Sequence, residues 1–177
     1  MSATRRDFMT LTAAGLVAGG LEVSSAKAEV GLPDGSTIVL VRHADKKAGP
    51  GDVALSPNGE IRARALRETL KDAGLSAIVA TSALRARKTA EPLAEALDLQ
   101  TIEIERDSNE RSKVEQAVRG QLPAAVLVVG HSETVPDFVK AFGGPQVEVS
   151  TFDNLFIVIR ANGMTHFIHG RYGGASR

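Results

Sequence analysis

The chain has 177 residues, no cysteine, and equal numbers of basic and acidic residues, 21 of each. That length fits one domain. The missing thiols exclude disulfides, thiolate metal sites and a cysteine nucleophile, and the balanced charge leaves no basic stripe of the kind that favours nucleic acid.

Residues 1–28 read as a leader. Arg5-Arg6 is followed by Phe8, then by a mildly apolar, Ala- and Gly-rich run over residues 11–21 that is short for a bilayer span. Ala26-Lys27-Ala28 has the small-x-small form of a signal-peptidase site. The order of these features resembles a twin-arginine export signal cleaved after Ala28. It implies handling by the twin-arginine export machinery, a periplasmic location, and no stable membrane association of residues 29–177.

Residues 38–41 are apolar, mostly β-branched and without alternation, as in a strand buried on both faces. Arg42, His43 and Asp45 stand where that strand leaves the sheet, the edge at which open α/β sheets bind ligands. Residues 46–52 are a Gly/Pro-rich loop. Ser56-Pro57 starts a helix, with Ser as N-cap and Pro at its first position, running to about Asp72 and stopping at Gly74. Ile61, Ala65, Leu66, Thr69 and Leu70 are its expected buried face; Arg62, Arg64, Arg67 and Lys71 are its expected solvated face.

A second buried strand covers residues 77–80, with Thr81-Ser82 as turn and cap. A helix over 83–97 carries Leu84, Ala90, Leu93, Ala94 and Leu97 inward, with a kink or break expected at Pro92. Residues 101–105 alternate like an edge strand, and 109–120 read as a weakly amphipathic helix. Residues 124–129 form another central strand ending at Gly130-His131-Ser132-Glu133, followed by a helix over 134–142. The runs 155–160 and 164–169 flank Ala161-Asn162-Gly163, and Asn-Gly is a strong hairpin signal. The whole predicts a three-layer α/β/α domain with a mainly parallel sheet and a C-terminal antiparallel hairpin.

His43 and His131 are two of only four histidines, and each directly follows a buried strand run. A parallel sheet puts both at one edge. Arg85, opening the helix after the second strand, reaches the same edge, and Arg42 adds a guanidinium. Two imidazoles and two planar guanidiniums suit a tetrahedral oxyanion such as phosphate. His166 and His169, three apart in a strand, face opposite sides and form no two-histidine metal site. Arg87 and Lys88 read as a solvated helix face. Ser132 and Thr134 are candidates for capping the helix after His131 and for offering an anion backbone N–H groups.

Arg42-His43-Ala44, Leu84-Arg85-Ala86-Arg87-Lys88-Thr89-Ala90 and Gly130-His131-Ser132, in this order and each at the end of its own strand, resemble the histidine phosphatase superfamily, the phosphoglycerate mutase-like proteins. Ala44-Asp45-Lys46 is similar to its small branch with an Arg-His-Ala-acid-Lys start. The resemblance implies a phosphoglycerate mutase-like fold over residues 29–177 and phosphate-monoester hydrolysis through a phosphohistidine on His43. It gives Arg42, Arg85 and His131 the phosphoryl oxygens, with Ser132 a further phosphate contact, and implies neither metal nor cofactor. The leaving-group acid stays open among Glu110, Asp45 and Glu133, in that order. The substrate class implied is a small-molecule phosphate ester or a phosphorylated envelope component. The competing readings are a non-catalytic phospho-ligand binder with the same pocket, and a phosphomutase, which the lack of long pocket-closing insertions disfavours.

Overall fold

A computed structural model of the chain describes residues 31–174; the predicted leader, with its twin arginine and cleavage site, lies outside them. The element order is β1 (Ser36–Arg42), α1 (Pro57–Leu70), β2 (Ala77–Thr81), α2 (Leu84–Leu97), β3 (Thr101–Ile104), α3 (Glu110–Arg119), β4 (Ala125–Gly130), α4 (Val135–Ala141), β5 (Asn154–Ala161) and β6 (Met164–Arg171). Among the described residues the strands form one sheet in the order β3-β2-β4-β1-β5-β6. The first four run parallel, and β5 and β6 are antiparallel. Asn162 and Gly163 both take positive φ, 52° and 72°, as the tight turn of a hairpin requires.

The unbroken apolar run of β1 divides by parity. Val39 and Val41 pack with Leu66 and Leu70 of α1 and Ala90 and Leu93 of α2. Ile38 and Leu40 pack with Val114 and Val118 of α3 and Phe138 and Val139 of α4. The sheet therefore carries two helices on each face, the three-layer arrangement expected. Each fully buried aliphatic or aromatic side chain of these layers contributes about 1.5–3 kcal/mol relative to exposure.

Helix α1 starts as expected, with Ser56 Oγ accepting from the Gly59 amide at 3.2 Å. Its buried face differs. Gly59, Arg62, Ala63, Leu66 and Leu70 are inward, whereas Ile61 is 59% exposed and Thr69 is also exposed. An arginine occupies an inward position because its charge is met there. Arg62 Nε donates to Asp45 Oδ2 at 2.6 Å, and Nη1 donates to the Tyr172 and Gly174 carbonyls at 3.3 and 2.8 Å. Helix α2 runs unbroken across Pro92, so of the kink or break expected there no break occurs. Neither Thr81 nor Ser82 caps it; the Leu84 amide instead donates to both oxygens of Asp52, at 2.8 and 3.0 Å.

Candidate active site

Register sets the site. Arg42 of β1 lies level with Gly130 of β4, and Val129 of β4 lies level with Ala80 of β2. The residues that follow, His43, His131 and the Thr81–Arg85 segment, therefore leave three adjacent strands at one edge. The ladder extends one step further through the His43 amide, which donates to the Gly130 carbonyl at 2.9 Å.

The two imidazoles meet edge to face, with ring centroids 5.2 Å apart and planes at 62°. His43 Nδ1 lies 2.8 Å from the Ala44 carbonyl oxygen. A carbonyl only accepts, so Nδ1 carries the proton and the neutral ring keeps its lone pair on Nε2. Burial, together with the Arg85 and Arg42 charges, lowers this imidazole from 6.5 to about 4, against the opposing pull of the Ala44 carbonyl and Glu133. The His43 ring is thus neutral across the physiological range, with the Nε2 lone pair that a nitrogen nucleophile needs.

His131 is oriented from both ends. Its Nε2 is 2.8 Å from Thr81 Oγ1, and its Nδ1 is 3.4 Å from Arg85 Nη2. A guanidinium only donates, so Nδ1 accepts and Nε2 donates to the threonine. Burial, then the charges of Arg106, His43 and Arg85, lower this ring from 6.5 to about 3. As a neutral ring with Nδ1 accepting, His131 becomes a donor to a phosphoryl oxygen at that atom only after taking up a proton.

Arg85 reaches the edge as expected and stands 3.6 Å from Asp52 Oδ1. Arg42 donates to the Ser150 carbonyl at 3.1 Å and lies over the Phe152 ring, 3.9 Å from its centroid. The same ring sits 5.7 Å from His43, so Phe152 links the first guanidinium to that imidazole. Arg87 pairs with Glu103 at 3.8 Å and Lys88 with Glu91 at 2.7 Å, as a solvated helix face would.

The three candidate acids differ in their surroundings. Asp45 is held by Arg62, as above. Glu110 is buried, 7% exposed, with Oε2 3.2 Å from Arg106 Nε and Oε1 without a hydrogen-bond partner. Glu133 accepts from Ser132 Oγ at 3.0 Å and from Arg106 Nη2 at 3.3 Å. Its charge acts on His43, His131 and Arg42. Partial burial pulls the other way, but its own amide, Ser132, His131 and Arg106 hold the Glu133 carboxyl below the usual range. The Ser132 hydroxyl is turned to Glu133. Thr134 Oγ1 accepts from the His131 amide at 3.1 Å, so it fixes the histidine backbone and makes no side-chain cap to α4.

Sequence reasoning missed Thr81, Thr89, Arg62 and Arg106. Thr89 was legible as part of the Arg85 motif; Arg106 carried no signal beyond its place in a loop after the edge strand. Among the described residues no group of His, Asp or Glu is arranged to hold a metal ion, and no helix is long and apolar enough to cross a membrane.

The sequence model of the histidine phosphatase superfamily (branch 1) matches residues 38–117. No curated protein matches the sequence. Solved structures share the fold. The protein histidine phosphatase SixA in complex with tungstate is 22% identical, with a TM-score of 0.61, covering 76% of this chain and 96% of its own. A phosphoserine phosphatase from Entamoeba histolytica in complex with 3-phosphoglyceric acid is 15% identical, with a TM-score of 0.54 and coverages of 79% and 98%. The mycobacterial glucosyl-3-phosphoglycerate phosphatase is 13% identical, with a TM-score of 0.56 and coverages of 80% and 100%. Over residues 38–117 the sequence is similar to the histidine phosphatase superfamily (branch 1), and what the chain shares with the solved structures is the fold. The fold itself is phosphoglycerate mutase-like.

Proposed function

We propose that the chain is an exported phosphatase that hydrolyses a phosphate monoester through a phosphohistidine on His43, without a metal or other cofactor. The observation that carries this reading is the neutral, buried His43 ring with its Nε2 lone pair free, set beside His131 and within reach of the Arg85 and Arg42 charges. His43 Nε2 attacks phosphorus as the bond to the leaving oxygen breaks. Arg42, Arg85 and a His131 protonated at Nδ1 hold the equatorial oxygens, the positioned charge that dominates phosphoryl transfer. Water then attacks phosphorus, the phosphorus–nitrogen bond breaks, and His43 returns neutral.

Of the three candidate acids, Glu133 is the one whose charge reaches both imidazoles, and we assign it the proton traffic ahead of Glu110 and Asp45. Held ionised, it serves better as the base for the attacking water than as a ready acid. Esters whose leaving groups need little protonation, aryl phosphates above all, are therefore the preferred substrates. The leader sends the domain to the periplasm, where scavenged esters or phosphorylated envelope components are at hand.

Turnover of a broad panel of phosphate compounds by residues 29–177 tests the chemistry. His43→Ala abolishes it; a folded His43→Ala protein that keeps turnover overturns the mechanism. Export is tested with Arg5→Lys and Arg6→Lys together, which strand the full chain in the cytoplasm; unchanged export removes that part of the proposal. The ionised state of Glu133 also favours a second reading, a phospho-ligand binder without turnover. That reading predicts saturable phosphate binding and no hydrolysis across the same panel.

A further inference from the structure

We propose that Arg106 reads a second anion, a carboxylate or a phosphate, carried by the leaving group of the substrate. This rests on the phosphatase reading above and names the substrate class within it.

Next to Arg85, which contacts His131, lies a cavity of about 370 Å³ lined by Gly51, Asp52, Ser82, Ala83, Arg85 and Arg106. Arg85 belongs to the phosphoryl hollow. Arg106 lines the same cavity, and its charge, like that of Arg85, disfavours protonation of His131. The space between these two arginines is open to the non-transferred part of a substrate whose phosphoryl group is held by Arg85. Small residues, Gly51, Ser82 and Ala83, line it between the arginines, which leaves room for a group of ring size.

The two partners of Arg106 are unequal. Glu110 is buried, with its side chain 9% exposed, and holds Nε at 3.2 Å; its other oxygen has no hydrogen-bond partner, so this buried carboxylate depends on Arg106. Glu133 holds Nη2 at 3.3 Å from a side chain that is 60% exposed. Exposed ion pairs of that kind contribute little and exchange readily. Glu110 thus fixes the guanidinium in place, while the end that Glu133 covers is open to replacement by a ligand anion. An arginine fork suits such an anion because it can meet two oxygens at once. Asp52, on the same cavity, does not oppose this. Its carboxylate is committed to the Leu84 amide and to Arg85.

The test compares 4-carboxyphenyl phosphate with its amide, 4-carbamoylphenyl phosphate, which match in shape and leave as phenols of similar acidity. 1,4-Phenylene bisphosphate supplies the phosphate arm. Wild-type protein prefers the carboxylate, the bisphosphate or both over the amide by about tenfold or more in kcat/KM, the scale of one charge-assisted contact. Arg106→Gln brings that ratio to within about twofold, and Arg106→Lys keeps part of it. Because Arg106→Gln leaves Glu110 as an unpaired buried charge, the double variant Arg106→Gln/Glu110→Gln provides a folded alternative. The ratio, not the absolute rate, is the readout, so a general loss of activity does not imitate the effect. A ratio unchanged in both variants, or no preference in wild type, overturns the proposal. Should no compound be turned over, the phosphatase reading fails separately. Calorimetric binding of the same compounds to wild-type and variant proteins then returns the ratio: a preference lost with Arg106 supports the second-anion site, and an unchanged or absent preference overturns it.

Discussion

Thr89 joins the segment that follows β1 at His43-Ala44 to the helix that carries Arg85. Its hydroxyl accepts from the Ala44 amide at 2.8 Å and donates to the Arg85 carbonyl at 2.7 Å, fully buried. The residue after His43 and the first turn of α2 are thereby set against each other. Thr89→Val keeps the shape and strands the Ala44 amide, costing about 1–3 kcal/mol of stability. It also loosens Arg85 relative to His43. Urea unfolding and steady-state kinetics check both, with kcat falling more than KM rises; Thr89→Ser restores most of each.

Gly59 is required by contact. A Cβ there would stand 2.0 Å from the Asp45 carbonyl oxygen, the same oxygen that accepts from the Ser56 amide at 2.9 Å. Gly59→Ala must push α1 away from the end of the nucleophile strand, at a cost of about 3 kcal/mol, the upper part of the overpacking range. Denaturant midpoints of Gly59→Ala and wild type measure it.

The buried imidazoles make stability depend on pH. Both folded-state values lie below 6.5, at about 4 for His43 and about 3 for His131. Between those values and 6.5 the unfolded chain binds more protons than the folded one, so stability falls as pH falls through that window. From pH 6.5 to 5 the expected loss is roughly 1–2 kcal/mol per imidazole. His43→Gln and His131→Gln each flatten the pH dependence of the unfolding free energy, measured by urea titration at successive pH values.

Much of this was legible in sequence, for definite reasons. Residues 38–41 and 124–129 are apolar on both faces, so the central parallel strands and their helical cover follow, and the histidines at their ends fall together by register. Asn162-Gly163 specifies the hairpin chemically. What escaped depends on partners far away in the chain. Arg62 looks like a surface residue until Asp45 and the Tyr172 and Gly174 carbonyls meet its charge, and counting it as polar shifted the expected face of α1 onto Ile61. Pro92 signals a kink or a break, yet α2 is continuous across it, with Leu93 and Ala94 buried just after it. Arg106 pairs with Glu110 only four residues on, but its place beside Arg85 and Glu133 depends on two distant stretches of chain.

His131 must gain a proton at Nδ1 to donate to a bound oxyanion, since that atom accepts from Arg85 in this structure. Tungstate, a dianion at neutral pH, therefore binds with uptake of about one proton at pH 7. Calorimetry in buffers of different ionisation enthalpy reads this directly, and His131→Gln abolishes the uptake.

The most direct measurement is rapid acid-free quenching during turnover of an aryl phosphate, followed by peptide mass spectrometry and NMR of the trapped phosphohistidine. The Nδ1 proton held by the Ala44 carbonyl leaves one nitrogen free to attack, so the phosphoryl group is expected on His43 at Nε2. A phosphoryl group on Nδ1 or on His131, or turnover with no phosphoprotein in a time course that resolves the first cycle, contradicts the account.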